Sequence, residues 1–372
     1  MKFILSIISA LAISTSAMGA SKKIPVHGPT DAQLQKMAEH NKNMASLFDL
    51  NPMTSVFSAA AVANNRLPFA GYSKVGYLIF SDDYFNSNAE EIKHALAQNL
   101  PADVTLVIYT DSTSKDYQKS LLSEYSKYVA KDKLVILQLT GGHDYFWARD
   151  GVPIPVWETS ADGKNNFSVV DAKYYHAFEG DKYFSDLFGA SLVVNPYYQE
   201  GGNFQSSADG RCLVVNREGH PYSHTASIPD EIFTTKYGCK TLTRLPHRKG
   251  IGHVDEVVKI IDDNNVVTDV AEYKPMLEKA GYTVYLLPEP DEDYETYANS
   301  LIINGQIYVP VFNESKDQKA LDVYKQFGLK VIPVNTKDLS NEGRGSIHCI
   351  TMAYPPVPLK DLAHTLGGNI LQ

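Results

Sequence analysis

The chemical reading of this chain turns on Cys349. A thiol attacks only as the thiolate, and it needs a base or a cation to reach that form. A histidine distant in sequence can supply this in space, and a carboxylate beside it completes a recurrent set for covalent catalysis. Besides Gly345-Ser-Ile-His348-Cys349-Ile-Thr351, three segments place polar residues at strand and turn positions: Trp147-Ala-Arg149-Asp150-Gly151, Glu200-Gly201-Gly202-Asn203 and Gly252-His253-Val-Asp255-Glu256. His253 and Asp255 stand two apart, so in extended chain both side chains share a face. Alone, the pair reads more readily as a polar turn ahead of a strand. With Cys349 two chemistries fit. Acyl transfer requires an oxyanion hole. Attack on a guanidinium carbon requires carboxylates, because the substrate is a planar cation whose fork of N–H donors they accept. Asp150 and Asp255 both lie in the marked segments, and two acids suit a guanidinium pocket. The histidines are scattered along the chain, and neither a metal nor another cofactor is expected.

The elements that must position these residues alternate between strand and helix. Lys74 to Phe80, Val104 to Tyr109 and Leu134 to Leu139 are apolar runs with strand character. Between them, Ser87 and Glu90 read as a capping box opening a helix to about Asn99, and Asp116 to Ala130 reads as a second helix. Near the other end, Ser300 to Ile303 and Ile307 to Phe312 flank Asn304-Gly305, a strong hairpin signal. Ser315 and Gln318 read as another capping box, Gly328 as a helix stop, and Lys330 to Val334 as the next strand. Residues 257–287 repeat this order of strand, strand, helix, strand. Recurrence of one unit points to a repeat architecture, and a mixed α/β sheet without internal symmetry is the alternative.

The chain has 372 residues, 44% of them hydrophobic, enough for one large domain or two ordinary ones. A net charge of -9 offers no basic excess for a nucleic-acid partner. Residues 1–20 read as a secretory signal: Lys2, an apolar run from Phe3 to Ile13, then small residues with cleavage after Ala17, Gly19 or Ala20. That run is too short to span a bilayer, and no later segment approaches the roughly 20 apolar residues required. A secreted or periplasmic location is therefore expected. Residues 21–68, with a helix from Asp31 to Leu50, form an N-terminal helical extension, and residues 69–372 a catalytic domain. Of three cysteines, Cys212 and Cys239 lie in one stretch and could pair, leaving Cys349 free; three buried, inert thiols are the alternative.

Five motifs appear in order: Trp147-x-Arg149-Asp150, Glu200-Gly-Gly-Asn203, Gly252-His253-x-Asp255, Asn299-Ser-Leu-Ile-Ile-Asn304-Gly305 and His348-Cys349-x-Thr351. In these the chain resembles the agmatine deiminase and bacterial, Porphyromonas-type, peptidylarginine deiminase family over roughly residues 70–358. The resemblance implies the pentein fold, a five-bladed α/β propeller of strand-strand-helix-strand units around a central site. It implies a hydrolase converting peptidyl-arginine or arginine to citrulline and ammonia, or agmatine to N-carbamoylputrescine. By the same resemblance Cys349 is the nucleophile, His253 the acid and base, and Asp150 and Asp255 the holders of the guanidinium nitrogens. Trp147 becomes a wall for the substrate, with Asn299, Arg149, Glu200, Asn203 and Arg344 as further substrate-binding candidates. The arginines that grip a substrate carboxylate in bacterial peptidylarginine deiminases have no counterpart in Asp171 to Asp181; Lys173, His176 or Arg344 are the replacements at hand. Amidino transfer, a cysteine peptidase and a non-catalytic exported binder of cationic side chains are the other readings. Oligomeric state is not encoded in any of these features.

Overall fold

The computed structural model describes residues 24–50, 65–139, 146–160, 162–176, 180–216, 223–360 and 370–371. The expected signal segment lies outside them. The described strands form five sheets, and one unit recurs: two antiparallel strands, a helix, and a third strand parallel to the second. Val258–Ile260, Asn265–Thr268, helix Lys274–Lys279 and Thr283–Leu286 form one such unit. Leu301–Ile303, Gln306–Val311, helix Asp317–Lys325 and Lys330–Asn335 form the next. Ile154–Thr159, Asn165–Lys173, helix Asp181–Leu187 and Ser191–Tyr198 form another, extended at its edge by Arg66–Pro68. Gln205–Ser206, Arg211–Val215, helix Asp230–Tyr237 and Thr241–Leu245 form a fourth.

The fifth sheet joins distant parts of the chain. Met352–Tyr354 pairs antiparallel with Tyr77–Ser81, which pairs parallel with Thr105–Thr110 across the helix Ser87–Gln98. Leu134–Gln138 and Ile370–Leu371 extend it. Tyr77–Ser81 and Thr105–Thr110 are buried throughout, which is why they read as unbroken apolar runs.

The repeat seen in the sequence at 257–287 and 300–334 thus extends over the body of the chain. At Asn304 and Gly305 φ is +46° and +85°, the left-handed pair a two-residue hairpin turn requires. Neither expected capping box forms. Asn86, not Ser87, caps the first helix by accepting from the Ala89 N–H. The later helix starts at Asp317, whose carboxylate turns back to the Phe312 and Glu314 N–H groups. In the first a neighbouring residue takes the cap position, and the second has no side-chain cap.

Helix Asp31–Leu50 is docked on the body: Asn41 donates to the Tyr198 and His224 carbonyls and accepts from the Tyr198 N–H. Cys212 and Cys239 form a disulfide, leaving Cys349 as the free thiol. The bridge ties a strand to the chain beyond the following helix.

Candidate active site

Every motif picked out above sits just ahead of the first strand of a unit. Trp147–Asp150 precedes Ile154–Thr159, Glu200–Asn203 precedes Gln205–Ser206, and His253–Asp255 precedes Val258–Ile260. Asn299 precedes Leu301–Ile303 and Cys349 precedes Met352–Tyr354. The repeat therefore gathers side chains that lie up to two hundred positions apart.

Cys349 is fully buried. Its Sγ lies 3.1 Å from Asn299 Nδ2 and 3.9 Å from Asp255 Oδ2. Asn299 fixes the segment around the thiol: its Oδ1 accepts from the His348 N–H at 3.0 Å and the Cys349 N–H at 3.4 Å, and its Nδ2 also donates to the Asp255 carbonyl at 3.2 Å. His348 Nδ1 meets Asp255 Oδ2 at 2.7 Å. Burial, with Arg149 and Lys259 adding, pushes the His348 imidazole well below its usual pKa. The contact is a hydrogen bond between the ring and the Asp255 carboxyl, with burial opposing charge on the imidazole.

His253, Asp150 and Asp255 meet over Gly202. A methyl placed on Gly202 would stand 2.6 Å from His253 Nδ1, 2.9 Å from Asp150 Oδ1 and 3.2 Å from Asp255 Oδ1. Glycine here leaves room for the three groups to approach. His253 and Asp255 do not share the face of an extended strand as expected. Residues Val254–Glu256 make a 3-10 turn with His253 as its cap, and the Glu256 carboxylate accepts from the Ile251 and His253 N–H groups. Gly252, at φ +86°, supplies the left-handed backbone that starts this turn. The Gly202 N–H donates to Asp150 Oδ1 at 3.0 Å, and His253 Nδ1 is 3.6 Å from the same oxygen.

The electrostatics are those of buried acids. Burial pushes the Asp255 carboxyl up to about 8, with Glu256 and Asp150 adding to it. Burial would raise Asp150 as well, but His253 and His27 more than offset it and hold that carboxyl below its usual value. The Cys349 thiol is driven well above its ordinary pKa by burial and then by Asp255 and Glu256. On the far side, burial lowers Arg149 to about 10, and burial and Arg149 lower Lys259 to about 7. These two cations line a cavity of about 40 Å³ with His348, Gln205 and Ser206.

The structure thus brings Cys349, His253, Asp255, Asp150, Asn299 and Trp147 together. Arg149 is buried behind the thiol, with its N–H on the Cys349 carbonyl and its guanidinium toward the His348 carbonyl and Met352 Sδ. Glu200 turns away to His224 at 2.7 Å. Asn203 bridges the Val215 backbone, Thr225 and the Val254 N–H. These three support the site and do not face it, as their turn and core settings dictate. Arg344 is exposed, 5.1 Å from the Tyr294 ring. Two residues that sequence reasoning passed over are in the site: His348, adjacent to the cysteine, and His27, from a segment without any motif. His27 Nε2 lies 2.6 Å from Asp150 Oδ2. Donor atoms of His27, Asp150 and His253, far apart in sequence, all lie within 4.8 Å of one another. The 2.6 Å contact is a hydrogen-bond length, shorter than the roughly 3.3 Å that separates neighbouring ligands on a tetrahedral zinc.

A free thiol, a histidine and two carboxylates at the mouths of strand-strand-helix-strand units define a C–N hydrolase acting on guanidino groups. The family model of Porphyromonas-type peptidyl-arginine deiminase matches residues 82–355, and the chain belongs to that family. A Streptomyces coelicolor relative named "Putative agmatine deiminase" is 24% identical over 57% of this chain and 76% of its own. The structure of C. jejuni agmatine deiminase with substrate bound is 18% identical, covering 77% of this chain and 96% of its own, with a TM-score of 0.62. That of Enterococcus faecalis agmatine deiminase is 15% identical, covering 79% and 96%, with a TM-score of 0.63. The α/β fold is thereby that of the pentein deiminases.

Proposed function

We propose that the chain deiminates a guanidinium group through a covalent amidino-thioether on Cys349. The observation that carries this is the convergence of the Cys349 thiol with Asp255, Asp150 and His253, all buried. Asp150 and Asp255 hold the guanidinium nitrogens and aim its carbon at Sγ. Asn299 Nδ2, at 3.1 Å from Sγ, donates to the sulfur as it becomes a thiolate. The thiol gives its proton to His253, and the resulting thiolate forms a bond to the guanidinium carbon. One C–N bond then breaks, with His253 giving a proton to the departing ammonia. His253 next takes a proton from water, the hydroxide adds to the same carbon, and the C–S bond breaks. The products are a ureido group, ammonium and the restored thiol.

The substrate in this reading is peptidyl-arginine or free arginine. Agmatine is an equal second reading, favoured by the agmatine deiminases to which the chain is similar and by the lack of arginine between Asp171 and Asp181. The five sheets form the blades of a propeller around this site, and residues 1–20 direct export. A disulfide at Cys212 and Cys239 supports an oxidising compartment. Among the described residues no helix is long and apolar enough to cross a membrane.

Ammonia and ureido product should be measured on a peptide with internal arginine, one with C-terminal arginine, free arginine and agmatine. Cys349→Ala is expected to lose all turnover while keeping the wild-type unfolding transition. Turnover by that variant would remove the covalent mechanism.

A further inference from the structure

The place beside Asp150 and Trp147 is already filled by the chain itself. The His27 ring stacks on Trp147 with centroids 4.2 Å apart and planes 17° apart, and presents its edge to His253 at 5.3 Å. Its Nε2 is 2.6 Å from Asp150 Oδ2, both side chains being fully buried. Burial would lower the imidazole's pKa, but Asp150 raises it past its usual value and so favours the charged ring. A planar nitrogen ring flat on an indole and hydrogen-bonded to a buried carboxylate takes the place a guanidinium would take there.

The backbone around His27 is held as well. The His27 N–H donates to the Gly343 carbonyl at 2.7 Å, the Trp147 indole N–H to the Pro25 carbonyl at 3.2 Å, and the Gly28 N–H to the Tyr175 hydroxyl at 3.1 Å. Gly343 and Gly345 make room for the segment. A methyl on the first would meet Ile24 at 2.8 Å, and one on the second Trp147 at 2.5 Å and His27 at 3.0 Å. With His27 in place Asp150 has no free edge: Oδ1 accepts from the Gly202 N–H and Oδ2 holds His27. It then cannot receive a guanidinium fork.

We propose that the segment Ile24–Gly28 is a pseudosubstrate built into the chain, with His27 standing where the substrate's guanidinium binds, so that this conformation is latent until the segment withdraws. The proposal rests on the reading of the site as a guanidinium pocket. Withdrawal requires only a short hinge, because helix Asp31–Leu50 is anchored separately through Asn41. An occupant tethered so closely competes at a high effective concentration, and substrate affinity is reduced by the fraction of open molecules.

The test uses the full chain, His27→Ala, and Ile24→Glu, which unseats the segment while leaving His27. The first readout is the alkylation rate of Cys349 by a 2-haloacetamidine, with iodoacetamide for comparison. In that reaction the sulfur–carbon bond forms as the carbon–halogen bond breaks and halide leaves. Both variants are expected to react with the amidinium at least about tenfold faster than wild type. The second readout is turnover, where kcat/KM is expected to rise by a similar factor through a fall in KM. Unchanged alkylation rates in both variants overturn the proposal. So does a loss of kcat at unchanged KM in His27→Ala, which would make His27 a positioning residue. Faster alkylation with no guanidine hydrolysed by any form would leave the pseudosubstrate standing and refute the deiminase reading.

Discussion

Gly202→Ala probes the site without touching any group proposed to react. The added methyl would lie 2.6 Å from His253 Nδ1 and 2.9 Å from Asp150 Oδ1, where ordinary contact begins near 3.4 Å. Retreat of up to roughly 0.8 Å is needed. None of the neighbours retreats freely. His253 caps the turn that Glu256 ties down, Asp150 is held by His27 and by Gly202 itself, and Asp255 is held by His348. Displacement of this size between catalytic groups costs about a hundredfold in rate, and overpacking a buried site costs about 1–3 kcal/mol. The expected result is a kcat/KM near one hundredth of wild type, measured by ammonia release, with the thermal midpoint lowered by only a few degrees. A kcat/KM within threefold of wild type would refute the argument that the three groups converge over this Cα. Gly201→Ala is the control: its methyl would lie 2.1 Å from the Arg149 carbonyl, a backbone atom, so that variant should lose the fold and not the chemistry alone.

Two further substitutions separate chemistry from stability. Asn299→Ala removes the acceptor of the His348 and Cys349 N–H groups and the donor to Sγ. It should lower unfolding free energy by about 1–3 kcal/mol for the buried N–H groups left bare and turnover by about 10²–10³; wild-type values of both in urea melts and rate assays would contradict the clamp. For Asp255 the folded pKa of about 8 lies above the unfolded value, so the folded state binds the extra proton, and this carboxyl's contribution to stability falls as pH rises from about 4 to 8. Asp255→Asn should therefore raise the thermal midpoint at pH 8 relative to wild type, by the equivalent of a few kcal/mol, with little gain at pH 4 and with turnover abolished. Equal midpoint differences at the two pH values would defeat the electrostatic account.

The repeat was legible at 257–287 and 300–334 because those units carry their own apolar strands, with the Asn304-Gly305 turn the clearest signal. Cys349, His253, Asp255 and Asp150 were legible for a different reason: their types make sense only as a set. What escaped was set by tertiary context. The first helix is capped by Asn86 and the later one has no side-chain cap, so position in space outranked the Ser-x-x-Glu/Gln pattern. Arg149, Glu200 and Asn203 belong to the same motifs as the converging groups, and sequence does not say which face of a turn a residue takes. His27 had no signal, because a lone histidine in a polar stretch acquires meaning only when the fold sets Asp150 against it.

The acids at this site act in two opposed ways. Asp255, Glu256 and Asp150 add to burial in raising the Cys349 thiol's pKa, and Arg149 faces the backbone behind it. A guanidinium held between Asp150 and Asp255 would cancel that field where the sulfur must ionise, and so favour the thiolate only in the loaded site. On this account recognition and activation are one electrostatic event. His27, a single ring on Asp150, occupies one acid without offering a carbon to attack. A chain that meets oxidants before substrate would thus carry its free thiol protonated and covered, and expose it as a nucleophile when a guanidinium displaces the imidazole.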